Sequence, residues 1–71
     1  MKVKAVYQAY TFPNHYVVET LDGRYMAFRI TPYRNITEDD LTPMPAYRPA
    51  GNNAAIMPEY EYRKFGIEVE S

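Results

Sequence analysis

The sequence predicts a mainly β fold: a small antiparallel meander or partly open barrel of roughly four to five strands, with one short helical turn and a long proline-rich loop. Three observations lead there. Residues 2–11 alternate in the period-two manner of a strand. Asp22-Gly23 stands between two β-branched and aromatic runs, the strongest short-range hairpin signal in the chain. Five of the six prolines fall within 31–58, which leaves too few unbroken stretches for a helical bundle. At 71 residues the chain makes one domain, 1–71, with a thin core.

In KVKAVYQAYT, Val3, Ala5, Tyr7 and Ala9 share one side and Lys4, Val6, Gln8 and Tyr10 the other. Phe12-Pro13-Asn14-His15 reads as a turn. YVVETL over 16–21 reads as the next strand. A two-residue type I′ turn at Asp22-Gly23 then sets Leu21 opposite Arg24, Val18 opposite Ala27, Val17 opposite Phe28 and Tyr16 opposite Arg29. Two faces follow. Val17, Leu21, Met26, Phe28 and Ile30, with Glu19 among them, form the core face; Tyr16, Val18, Thr20, Tyr25, Ala27 and Arg29 form a mixed, aromatic one. A tight turn at Pro13-Asn14 would set Tyr10 opposite Val17 and Ala9 opposite Val18. Val6 and Tyr10 then join the core, Tyr7 the mixed face, and Glu19 sits beside Gln8.

Thr37-Glu38-Asp39-Asp40 has the form of a helix cap with acids in the first turn, limited to one or two turns by Pro43. Residues 43–58 read as a long, partly mobile loop, in which 43–49 reads either as a plain stiff connection or as an arm laid on another protein. The tail, EYEYRKFGIEVE, reads as a return to strand, with a bulge or bend near Lys64-Phe65-Gly66.

Composition narrows function. The chain has no cysteine, a lone histidine (His15) and a lone serine (Ser71), so a Ser–His–acid or Cys–His arrangement cannot be built. The prediction is a protein that is not an enzyme and uses no cofactor and no metal. No apolar run reaches the length of a bilayer span, and Met1-Lys2-Val3-Lys4 lacks the form of a signal peptide, so the expected location is cytoplasmic with no membrane role. The net charge of −1 gives no overall basic surplus for duplex binding. The outlying residue is tyrosine, eight in all with three Phe and no Trp. Tyrosine and arginine are the types enriched at interface hot spots, and they also stack single-stranded bases. The candidate partner-binding set is Tyr7, Tyr16, Tyr25, Arg29, Arg24, Tyr33 and Arg34.

Residues 4–30, with Val6, Pro13-Asn14, Tyr16-x-Val18-Glu19, Asp22-Gly23 and Met26-x-Phe28-x-Ile30, resemble the opening strands of small OB-fold barrels of the translation initiation factor one and S1 type. That resemblance implies single-stranded nucleic-acid binding; the strand and basic residues that follow in that family are replaced here by the proline-rich stretch. In size and in its lack of catalytic groups, the whole chain looks like the short bacteriophage-encoded proteins that bind host machinery. This second resemblance implies a regulatory or inhibitory module for a larger protein partner, such as RNA polymerase or another host complex, in the host cytoplasm. The expected function is therefore protein binding through the aromatic and arginine face, with single-stranded nucleic-acid binding as the alternative.

Overall fold

The computed structural model describes residues 1–8, 15–29, 34–49 and 55–70. Its centre is an open five-stranded antiparallel sheet, not closed into a barrel. Four strands meet in the spatial order β5 (Thr42–Pro43), β4 (Tyr25–Arg29), β3 (His15–Glu19), β2 (Ala5–Gln8), and β6 (Ala55–Ile56) adds to the far side of β2. A second, two-stranded sheet pairs β1 (Lys2–Val3) in parallel with β7 (Glu68–Val69). Pro43 lies on an outer strand, where its missing N–H leaves no gap in the ladder.

The β3–β4 hairpin forms where Asp22-Gly23 predicts it, with a different turn. Gly23 N–H donates to Thr20 O at 3.0 Å and Thr20 N–H to Arg24 O at 2.8 Å. Gly23 has φ 87°, in the left-handed region open to glycine. The loop is thus three residues, Leu21-Asp22-Gly23, with glycine in the bulge position. Polar side chains hold it: Arg24 N–H donates to Thr20 Oγ1 (2.9 Å), Arg24 Nε donates to Asp22 Oδ2 (2.9 Å), and the Thr20 hydroxyl donates to Asp22.

One extra loop residue shifts the register by one and turns β3 over. Tyr16 lies opposite Phe28, Val17 opposite Ala27, and Val18 opposite Met26. The predicted β4 faces stand, whereas Tyr16 and Val18 join the core and Val17 and Glu19 move to the other face. The β2–β3 register also differs, with Val6 opposite Val18, Tyr7 opposite Val17 and Gln8 opposite Tyr16, so Glu19 faces Ala5 rather than Gln8. The Pro13-Asn14 turn, Ala9, Tyr10, Ile30 and Tyr33 lie outside the described residues.

The acidic cap is present as a 3-10 turn, Glu38–Asp40, after Thr37. Thr37 N–H donates to Asp40 Oδ2 at 2.8 Å. The tail departs from the expected strand. Residues Glu59–Tyr62 form helix α1, which continues as a 3-10 turn over Arg63–Phe65 before β7. Pro58 opens this unit with φ −69°, Glu59 and Glu61 lie in its first turn, and Arg63 and Lys64 lie in its last. Arg63 pairs with Glu59 at 2.6 Å one turn away. Gly66, φ 72°, ends it. The glycine is required twice over, because a Cβ there would stand 2.8 Å from the Asn35 side chain.

The helical unit brings Phe65 and Ile67 onto the sheet, where Val3, Val6, Val18, Phe28, Ile36 and Met57 complete the main core. Phe28, Phe65 and Tyr16 meet edge to face, with ring centres 5.2–6.0 Å apart. A smaller cluster on the opposite face joins Val17, Ala27 and Tyr47, flanked by Tyr7, Tyr25 and Met44. The described part of the proline-rich stretch therefore packs on the molecule's own sheet, and Tyr47 is buried there. Residues 50–54 lie outside the described set.

Candidate functional site

Strand pairing puts partners on a common face. Ile56, Tyr7, Val17, Ala27 and Thr42 form one row across the sheet, and Ala5, Glu19 and Tyr25 form the next. Tyr7 and Tyr25 thus share a face, as expected, with Glu19 beside them. The Tyr7 hydroxyl donates to Glu19 Oε1 at 3.3 Å, and Lys4 Nζ lies 3.6 Å from Glu19 Oε2. Burial, followed by the Glu19 charge, pushes the Tyr7 phenol above its ordinary pKa. Burial and then Tyr25 do the same for Tyr47. Tyr25 meets the Tyr47 ring edge-on at 5.5 Å.

The other predicted residues disperse. Tyr16 points to the opposite face, against Phe28 and Phe65. Arg29 is exposed at the far end of β4, opposite His15 and roughly 13 Å along the strand from Tyr25 at about 3.3 Å per residue. Arg34 grips Asp40 with both terminal nitrogens, at 3.2 and 2.9 Å. Arg34, followed by the Thr37 N–H, holds the Asp40 carboxyl down at about 2. Arg34 is thereby committed to fastening the 3-10 turn. Tyr33 lies outside the described residues.

What does assemble is the hairpin tip. Arg24 and Tyr25 border a groove of about 470 Å³ whose other walls are Met26, Pro43, Pro45 and Arg48. Arg48 Nη1 donates to Pro45 O (3.0 Å) and Tyr47 O (2.7 Å), which aligns its stem along the Met44–Arg48 segment. Arg24 also borders a second groove, about 540 Å³, with Met1, Val3, Leu21, Met26 and Leu41 as its apolar lining and Lys2, Asp22, Glu38 and Asp39 as its other charged residues. Leu21 stands at this junction, 54% exposed. Arg48, Pro43 and Pro45 are absent from the candidate set read from the sequence, which placed them only within the 43–49 segment. The available signal was Tyr47, a large apolar ring inside a proline-rich stretch, which had to be buried somewhere and took its neighbours with it.

Among the described residues no group of three or more His, Asp or Glu stands together to hold a metal ion. No helix among them is long and apolar enough to cross a membrane. No family model, no curated protein and no solved structure matches this chain.

Proposed function

We propose that the chain is a non-enzymatic binding module that docks on a larger protein and regulates or inhibits it by occupying its surface. The observation that carries this reading is the hairpin tip, where Arg24, Tyr25 and Arg48 line one groove with Met26, Pro43 and Pro45, and the exposed Leu21 lines the adjoining one. Arginine and tyrosine at the centre of a concave, partly apolar patch are the residue types that anchor protein interfaces. The docking surface is then narrower than the whole aromatic sheet face: it keeps Arg24 and Tyr25, gains Arg48, and leaves Tyr16 and Arg34 to the fold. Host transcription machinery is one partner class within this reading.

Single-stranded nucleic-acid binding has less support. Base stacking needs open ring faces, and Tyr16 and Tyr25 are both half-buried against other rings. Affinity capture with mass spectrometry tests the reading. The tagged chain should retain a larger protein from lysate, and Tyr25→Ala and Arg24→Glu should release it while circular dichroism stays unchanged. Equal retention by both variants, or no retained protein, counts against docking at this tip.

A further inference from the structure

We propose that the groove between the hairpin tip and residues 43–48 receives an acidic, extended peptide segment of the partner. This rests on the protein-binding reading above and gives the partner a chemistry. The argument is charge complementarity over an apolar floor. Arg48 is held by two neutral acceptors, the carbonyl oxygens of Pro45 and Tyr47. Those bonds orient the guanidinium without cancelling its charge, and no carboxylate among the described residues forms an ion pair with it. Arg24 lines the same groove with its charge already matched by Asp22, to which its Nε donates at 2.9 Å, so the uncompensated positive charge there is that of Arg48. Both guanidinium-bearing residues line the groove together with Tyr25, Met26, Pro43 and Pro45. A guanidinium on such a floor favours carboxylate partners, for which its planar fork is shaped.

The occupant is gripped by side chains rather than added as a strand, because Pro43 has no N–H to offer. The two prolines keep the wall stiff, so little freedom is lost when the groove is filled. A peptide suits the site better than a polynucleotide. A phosphate chain running past Arg24 would enter the adjoining groove, which Arg24 also lines and where Asp22, Glu38 and Asp39 outnumber Lys2. A short carboxylate-bearing segment confined to the Arg48 side avoids them.

Fluorescence anisotropy on the full chain tests the idea. The probes are a short labelled peptide in which glutamate alternates with proline and leucine, its glutamine counterpart, and an oligothymidylate of equal charge. The acidic peptide should bind at least about tenfold tighter than the glutamine peptide, the equivalent of one hydrogen bond to a charged group. Added salt should erode that preference, Arg48→Glu should abolish it, and Arg48→Lys should retain part of it. Arg24→Gln, outside the 43–48 segment, should weaken it as well and serves if Arg48→Glu loosens the fold. Equal affinity for the two peptides, no binding of either, a preference untouched by Arg48→Glu and Arg24→Gln, or displacement of the peptide by the oligothymidylate would overturn the inference. Lysate capture separates the two levels. A partner retained equally by wild type and Arg48→Glu sinks the acidic-peptide inference and leaves protein binding standing. A chain that binds the acidic peptide through Arg48 but retains no protein sinks the parent reading instead.

Discussion

Tyr16 and Asp40 show how single side chains divide between fold and function. Tyr16 touches Phe28 and Phe65 edge-on, so its removal takes ring contacts out of the main core. Tyr16→Ala should lower stability by about 2 kcal/mol or more, read by urea denaturation, and should alter binding only as far as it unfolds the chain. Asp40 titrates from about 2, below its ordinary value, because Arg34 and Thr37 stabilise its charged form. A depressed carboxylate contributes stability that is whole above the unfolded pKa, near 4, and is lost as pH falls through the folded one. The gap in melting temperature between wild type and Asp40→Asn should therefore be widest near neutrality and close between about pH 4 and 2. A gap that persists at pH 2 would show that Asp40 acts through packing rather than charge.

At the scale of elements, the tail shows why one stretch was misread and how to check the corrected form. Tyr60 and Tyr62 share a strand-like phase, and that alternation concealed the helix. The ends carried the better signal: Pro58 to open, acids then bases along the axis, and Gly66 to close. Gly66→Ala should cost about 1–3 kcal/mol, since an alanine would face both the positive φ and the Asn35 side chain. Asn35→Ala in that background should restore the steric share and leave the backbone share, a partition that a double-mutant cycle reads directly. In the hairpin, the sequence specified a turn and a glycine, but Asp-Gly serves both a two-residue and a three-residue loop. Local residues could not choose between them; burial of Val18 and Tyr16 beside Phe65, a contact distant in sequence, did. That is why the faces of β4 were legible and those of β3 were not. For the same reason the shared face of Tyr7 and Tyr25 was legible and the place of Tyr16 was not, and Arg48 joins the site through Tyr47, whose ring packs on Tyr25.

For the molecule as a whole, the sheet is covered on both sides from one chain of 71 residues. Net stability for this length is on the order of 4–10 kcal/mol. Phe65, fully buried, joins the helical unit to the sheet, and the C-terminal end of that unit is tied in by Ile36 N–H to Phe65 O (2.9 Å) and the Met1 amine to Gly66 O (3.0 Å). Phe65→Ala should remove roughly 3–5 kcal/mol. Set against that net stability the loss is about a third or more of the whole, which scanning calorimetry would register as a clearly lowered transition. The three-residue corner at Leu21-Asp22-Gly23 has a further consequence, for how this chain tolerates change. Its side chains are exposed, and excising Leu21 would leave Asp22-Gly23 as a two-residue loop with Thr20 still opposite Arg24, so both strand faces survive. Removing a residue inside the neighbouring ribbon, such as Val18, instead sends every side chain beyond it to the other face. Deletion scanning should find the solvent-facing corner forgiving and the strands on either side of it unforgiving.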